Sequence, residues 1–155
     1  MSLRPDQAMQ AIELLKKIAL FDGATDDHRV AIAAALDART YAAGKVVILE
    51  QEISKTLYLL AKGSVGIWRR KNNQKDRIAL LKAPDFVGEV SMFSDSPATA
   101  LVKTEEDSLL FFLTRERFDA LIAADAALAE LVKRNIDVIK ASRPSLQKPA
   151  DEQPA

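Results

Sequence analysis

Apolar positions at both ends of the chain recur with the period of a helix, and those in the middle recur in short runs broken by turns. From Pro5 to Leu20, Met9, Ile12, Leu15 and Ala19 fall on one face, and Pro5 suits a first helical turn. A second helix is predicted where Thr25 can cap, Asp26 and Asp27 complement the positive end, and Val30, Ala34 and Ala35 carry the period to Leu36. "LFDGAT" between them reads as a turn around Gly23.

Past Tyr41 the runs "KVVILE", "TLYLLAKG", "SVGIWRR", "RIALLK", "TALVKT" and "SLLFFLT" read as strands. Turns are expected at Gly44, "QEISK", Lys62-Gly63, "KNNQKD", Ala83-Pro84-Asp85 and "EEDS". From Thr114 the helical period returns in "RERFDALIAA" and again from Asp125 in "DAALAELVKRNIDVIKAS". Helices, then short antiparallel strands, then helices predict an α+β fold with a jelly-roll or barrel core. One domain over 5–142 is expected: helices in 5–36, a β-roll in 39–114 and helices in 115–142. Residues 1–4 and the Pro-rich, polar residues 143–155 are expected to be disordered.

Composition removes whole classes of chemistry. With 155 residues, 48% of them hydrophobic, one proper core is affordable. Lys+Arg 22 against Asp+Glu 22 leaves no net field to draw the chain to nucleic acid or an anionic surface. No cysteine and a single histidine exclude a disulfide framework and argue against a Cys/His metal centre, which fits a reducing, cytoplasmic setting. No apolar run approaches the roughly 18 residues of a membrane span, and "MSLRPDQAMQ" lacks the apolar core of a secretion signal. No nucleophile-base pair and no phosphate loop with its lysine stand out, so a non-catalytic role is expected.

"FVGEVSMFSDSPATALV", Phe86 to Val102, carries the candidate chemistry. A Gly beside an acid brings backbone and one carboxylate close to a small polar ligand. No positive charge lies between Glu89 and Val102, so nothing in the stretch itself neutralises an anion.

In frame with its surroundings the stretch resembles the phosphate-binding cassette of the cyclic nucleotide-binding domain family, the module of the catabolite activator protein and of protein kinase A regulatory subunits. The resemblance runs from about Ile12 to Lys140, with "LLKKIALFDGATDDHRVAIAAAL", "YAAGKVVILEQEISKTLYLLAKGSVGIW", the cassette and "FDALI" in family order. Gly44, Tyr58, Gly63, Gly88, Glu89 and Phe118 land where the family has those residue types. The resemblance implies a sensor of cyclic AMP or cyclic GMP. Gly88 would admit the sugar, Glu89 would accept from the ribose hydroxyl, and the amide of Ser91 would face the phosphate beside Val90, Thr99 and Ala100.

The pattern breaks at one position. Nine residues after Glu89, where the family has the arginine that clamps the phosphate, stands Ala98. Weak or altered cyclic nucleotide affinity follows; the alternative is a structural or protein-interaction module with an empty pocket. A second departure is "LEQEIS", where the family favours Gly at Gln51 and a small residue at Ser54.

Elsewhere ordinary structural roles suffice. "RRKNNQKDR", Arg69 to Arg77, reads as a solvated hairpin turn, His28 as a surface residue in a first helical turn, and Trp68 as half-exposed packing. Along the last helix Leu128, Leu131, Asn135 and Val138 follow three-four spacing. Family members pair this helix across a dimer, so the same face is expected to meet a second copy, with Asn135 fixing register; the alternative is that the stripe only covers the barrel mouth. Beyond Arg143 too few residues follow for a helix-turn-helix, so no DNA reading is expected of this chain alone.

Overall fold

A computed structural model describes residues 3–94 and 96–142. The chain runs α1 (Pro5–Leu15), a 3-10 turn (Ala19–Phe21), α2 (Asp26–Ala35), β1 (Asp37–Tyr41), β2 (Val46–Ile48), β3 (Thr56–Lys62), β4 (Ser64–Lys71), β5 (Gln74–Lys82), β6 (Asp85–Val87), α3 (Glu89–Ser94), β7 (Leu101–Thr104), β8 (Ser108–Thr114), α4 (Arg115–Ala124) and α5 (Ala126–Ser142). Two antiparallel four-stranded sheets, ordered β1-β8-β3-β6 and β2-β7-β4-β5, form the jelly roll, and the fold is α+β as its pattern predicted.

The period of two in β3 and β8 decides the layering. Leu57, Leu59, Phe111 and Leu113 turn outward to a core shared with Leu15, Leu20, Phe21, Ile32, Phe118 and Leu128 of the helical layer. Leu60 and Leu110 turn inward to a second core with Val65, Ile67, Val87, Ala100 and Val102. The first sheet is therefore covered on both faces, and the second sheet has one face open to solvent. That is why β5, at the edge, keeps Ile78 and Leu80 exposed.

Two strands escaped the pattern. β1, "DARTY", has no apolar alternation and holds its place by pairing Asp37 to Phe112 through Tyr41 to Ser108. β6 is only three residues, paired Tyr58 to Val87 and Leu60 to Asp85. The β4–β5 turn is as expected: Asn72 and Asn73 both take positive φ, 52° and 65°, the left-handed pair that a tight hairpin needs.

At the start of the chain the expected disorder is corrected in part. Leu3 packs against the helical core and the Arg4 amide donates to Gln7 Oε1 at 3.0 Å, which ties down the first turn of α1. The expectation for residues 1–2 and 143–155 falls outside the described residues. Among the described residues no helix is long and apolar enough to cross a membrane, and no group of three or more His, Cys, Asp or Glu could hold a metal.

Candidate functional site

The site is built where β6 hands over to α3. Gly88 sits at φ 95°, and a Cβ there would meet the Thr56 carbonyl oxygen at 2.3 Å, so only glycine lets this corner lie against β3. Glu89 opens α3, whose first closed turn is the 3.1 Å bond from the Met92 amide to the Gly88 carbonyl. At the other end of α3, Arg115 of α4 donates to the Met92 carbonyl at 2.6 Å.

Two adjoining cavities flank this helix. The larger, about 550 Å³, is bounded by Glu89, Val90, Phe93, Ala98 and Thr99 on the cassette side. Gln51 of the β2–β3 turn, Leu20 of the 3-10 turn, and Ile136, Ile139 and Lys140 of α5 close it on the other sides. The smaller, about 50 Å³, lies toward the barrel interior against Ile48, Ile67, Val87 and Val102. Glu89, Val90, Ala98 and Thr99 border both, while Gly88, Ser91 and Ala100 border the inner one. All seven cassette residues singled out from the sequence thus border one or both of these adjoining cavities. The size of the larger falls within the roughly 300–1,000 Å³ of small-molecule sites.

Backbone pairing fixes position 98. The Gln51 amide donates to the Ala98 carbonyl at 2.8 Å and the Ala98 amide donates to the Glu52 carbonyl at 2.7 Å. Gln51 itself takes φ 74°, the left-handed conformation that glycine accepts more readily, so this turn keeps its shape without the glycine. Across the same turn, Ser54 Oγ and the buried Ser91 Oγ share a hydrogen bond of 3.1 Å.

The cation that the cassette lacks is not absent from its neighbourhood. Arg69, read from sequence as part of a solvated turn, is 2% exposed. Its Nε donates to the Thr99 carbonyl at 3.0 Å and its Nη2 to Thr99 Oγ1 at 3.1 Å. Burial lowers its pKa from the usual arginine value, with Glu50 opposing. The signal was legible: Val65, Ile67 and Arg69 alternate along β4, and an inward Ile67 puts Arg69 inward too. Only Arg70 onward belongs to the exposed hairpin. A second cation, Lys140, stands at the exposed rim.

Three further expectations are corrected. Leu128, Leu131 and Asn135 are buried within the single chain, because α5 packs on α4 and on the 3-10 turn. Asn135 Nδ2 donates to the Leu20 and Asp22 carbonyls, both at 2.9 Å, so this amide serves an internal turn and not a register between copies. Of the four positions only Val138 is exposed, at 63%. His28 is not simply at the surface: its Nδ1 accepts from the Thr25 amide and its Nε2 lies 3.0 Å from Asp125, joining the start of α2 to the start of α5. Trp68 packs half-buried as expected and donates to Glu105 Oε1 at 3.1 Å, with Lys103 over its ring. Gly66 leaves room for that pair, since a Cβ there would lie 2.1 Å from Glu105 Oε1.

Known proteins share this fold. The family model of the cyclic nucleotide-binding domain matches residues 38–125, more than half of the chain. The chain is 30% identical over 108 residues to the cAMP-dependent protein kinase regulatory subunit of Aspergillus niger, covering 70% of this chain and 26% of that protein. It is 31% identical over 106 residues to the cyclic AMP receptor protein of Thermus thermophilus, covering 68% of this chain and 47% of that protein. The chain therefore spans less than half of either relative. Among solved structures, the Thermus thermophilus catabolite activator protein superposes with TM-score 0.71 at 29% identity, over 82% of this chain and 58% of that one. A cyclic nucleotide-binding domain from Methylobacillus flagellatus reaches TM-score 0.79 at 19% identity, over 89% of this chain and 78% of that one.

Proposed function

The chain belongs to the cyclic nucleotide-binding domain family, and from that premise we propose that it is a non-catalytic sensor module whose cavity takes a cyclic nucleotide with affinity altered by Ala98. One observation carries the reading. Gly88, Glu89, Ser91 and Thr99 converge on a cavity of about 550 Å³ and its inner pocket, with an apolar wall from α5 for a base. In this reading Glu89 accepts from the ribose hydroxyls and the turn at Gly88 lets the sugar approach. The inner pocket beside Ser91, Thr99 and Ala100 receives the phosphate.

Removing one partner of a buried charge pair costs about 2–5 kcal/mol, roughly thirty-fold to a few thousand-fold in affinity. Calorimetry with cyclic AMP and cyclic GMP tests the reading. Binding in the sub-millimolar to millimolar range, lost in Glu89→Ala, is expected. No heat from either nucleotide at millimolar concentration overturns it.

The alternative reading, a structural or dimerising module with an empty pocket, has less support, because the face of α5 meant for a second copy is packed inside the chain. Light scattering is expected to return a monomer; a dimer that Val138→Lys dissociates would favour the alternative. The absence of cysteine supports a reducing, cytoplasmic setting, with a partner protein reading the occupied state.

A further inference from the structure

An antiparallel sheet with one face in water ordinarily alternates, apolar inward and polar outward. The second sheet keeps the first half of that rule, with Val65, Ile67, Ala79 and Leu81 against the inner core. Its outer face breaks the second half. Val46 of β2 and Ile78 and Leu80 of β5 are 45%, 40% and 41% exposed, and Trp68 of β4 is half-buried among them. Register sets these side chains in neighbouring rows. Val46 pairs with Lys103, Lys103 with Gly66 and Gly66 with Leu80, and the next outward row has Trp68 opposite Arg77.

Cations frame this apolar patch. From Arg70 to Lys82 the chain carries Arg70, Lys71, Lys75, Arg77 and Lys82 against the single acid Asp76, although the whole chain has as many acids as bases. Arg70 lies opposite Lys75 at one end of the rows, and Lys82 lies opposite Ser64 at the other. The carboxylates beside them are already engaged: Glu105 accepts from Trp68 at 3.1 Å and lies 3.9 Å from Arg77, and Glu106 accepts from Ser64 Oγ at 2.7 Å. Like charges paired across strands are unfavourable by themselves, and together they give one face of a neutral molecule a positive field.

We propose that the outer face of the second sheet is a docking surface for an acidic amphipathic helix of a partner protein. The first sheet shows such a cover within this chain, where outward Leu57, Leu59, Phe111 and Leu113 lie under the helical layer. On the second sheet the partner's apolar stripe rests on Val46, Trp68 and Leu80, and its carboxylates answer Arg70, Lys75 and Lys82. A polynucleotide fits less well. Among the described residues Trp68 is the one aromatic ring on this face, with Lys103 already over it, and Glu105 and Glu106 repel a phosphate backbone. The inference is independent of the cyclic nucleotide reading, because the cavities lie on the other side of the sheet, against Ile48, Ile67 and Val102.

The probe is a labelled synthetic helix with Leu along one stripe and Glu elsewhere, titrated by fluorescence anisotropy. A version with Lys for Glu, a labelled oligothymidylate and phosphatidylserine vesicles are the comparisons. Micromolar binding of the acidic helix is expected, weakened about tenfold or more in Arg70→Glu/Lys75→Glu and about fivefold or more in Leu80→Ser. Lys16→Glu/Lys133→Glu makes the same charge change on exposed positions of the helical layer and should stay within about twofold. No binding at millimolar concentration, an equal loss in that control, or equal affinity for the Lys version overturns the proposal. Tighter binding of the oligothymidylate or the vesicles than of the acidic helix overturns it too. If a face variant does not fold, as judged by circular dichroism, amide shifts of the wild type decide. Shifts confined to β2, β4, β5 and β7 support the surface, and shifts centred elsewhere sink it.

Discussion

The side-chain amide of Asn135 lies 2.9 Å from the carbonyl oxygen of Leu20 and joins the middle of α5 to the turn that follows α1. The same amide reaches the Asp22 carbonyl, so one residue serves two acceptors that helix and sheet leave over. Replacing it leaves buried acceptors without their donor. Asn135→Leu should therefore destabilise by about 2–3 kcal/mol, lowering Tm by roughly 4–12 °C for a chain of this size. Thermal unfolding checks this, and sedimentation should show no change in molecular size, because the residue does not face a second copy.

Gly88→Ala should destabilise by roughly 1–3 kcal/mol, since the backbone is left-handed there and the new Cβ would press on the Thr56 carbonyl. Separation of α3 from β3 would also disturb Glu89. Chemical denaturation and cyclic AMP titration should report both losses together; a lost affinity at unchanged stability would contradict the steric account.

Gln51→Gly should act in the opposite direction. Gln51 holds φ 74°, where a side chain is disfavoured by about 1–2 kcal/mol, partly offset by the greater freedom of glycine in the unfolded chain. A net gain of about 0.5–1 kcal/mol in urea unfolding is expected, with the bonds to Ala98 retained.

Ala98→Arg should strengthen cyclic AMP binding on the order of thirty-fold, the lower end of what a buried charge pair contributes. The backbone at 98 is held by the β2–β3 turn through both its amide and its carbonyl, and Ala98 borders both cavities, so the new side chain starts from an existing frame. Calorimetry of wild type and variant decides it.

Alkaline pH should unfold the chain through its tyrosines. Burial pushes the Tyr58 hydroxyl up to about 12 from 10.0, with Tyr41 and Glu52 adding to the shift and Arg39 opposing it. Tyr41 is raised too, mainly by burial. A folded pKa above the unfolded one contributes stability that is complete below about pH 10 and is lost as pH rises to about 12. Urea midpoints measured from pH 9 to pH 12 should fall through that window, and Tyr58→Phe should flatten the fall.

The helices at both ends and six of the eight strands were legible because their periods follow directly from which side faces the core, and the cassette was legible through its resemblance to the family's motif. β1 was not, because Asp37 to Thr40 have no apolar alternation and its place is set by pairing with β8. Arg69 was hidden by its neighbours: Arg70 and Lys71 belong to solvent, and charge density along the sequence groups all three. The face of α5 was read correctly as apolar, yet its neighbour could not be inferred from the helix alone. A helix stripe records how much surface must be covered, not whether the cover comes from the same chain. Ala98 was read directly, but that the adjoining Thr99 is held by a side chain thirty residues earlier was not, because only the pairing of β4 with β7 brings the two together.

The larger cavity takes its walls from both ends of the described chain, Leu20 before the first strand and Ile139 near the end of the last helix. During synthesis the two sheets and the cassette can assemble while the ribosome still holds α5. At that stage the site is an open trough with its apolar floor exposed. The pocket is thus closed only once α5 has emerged to cover that floor, after the sheets and the cassette.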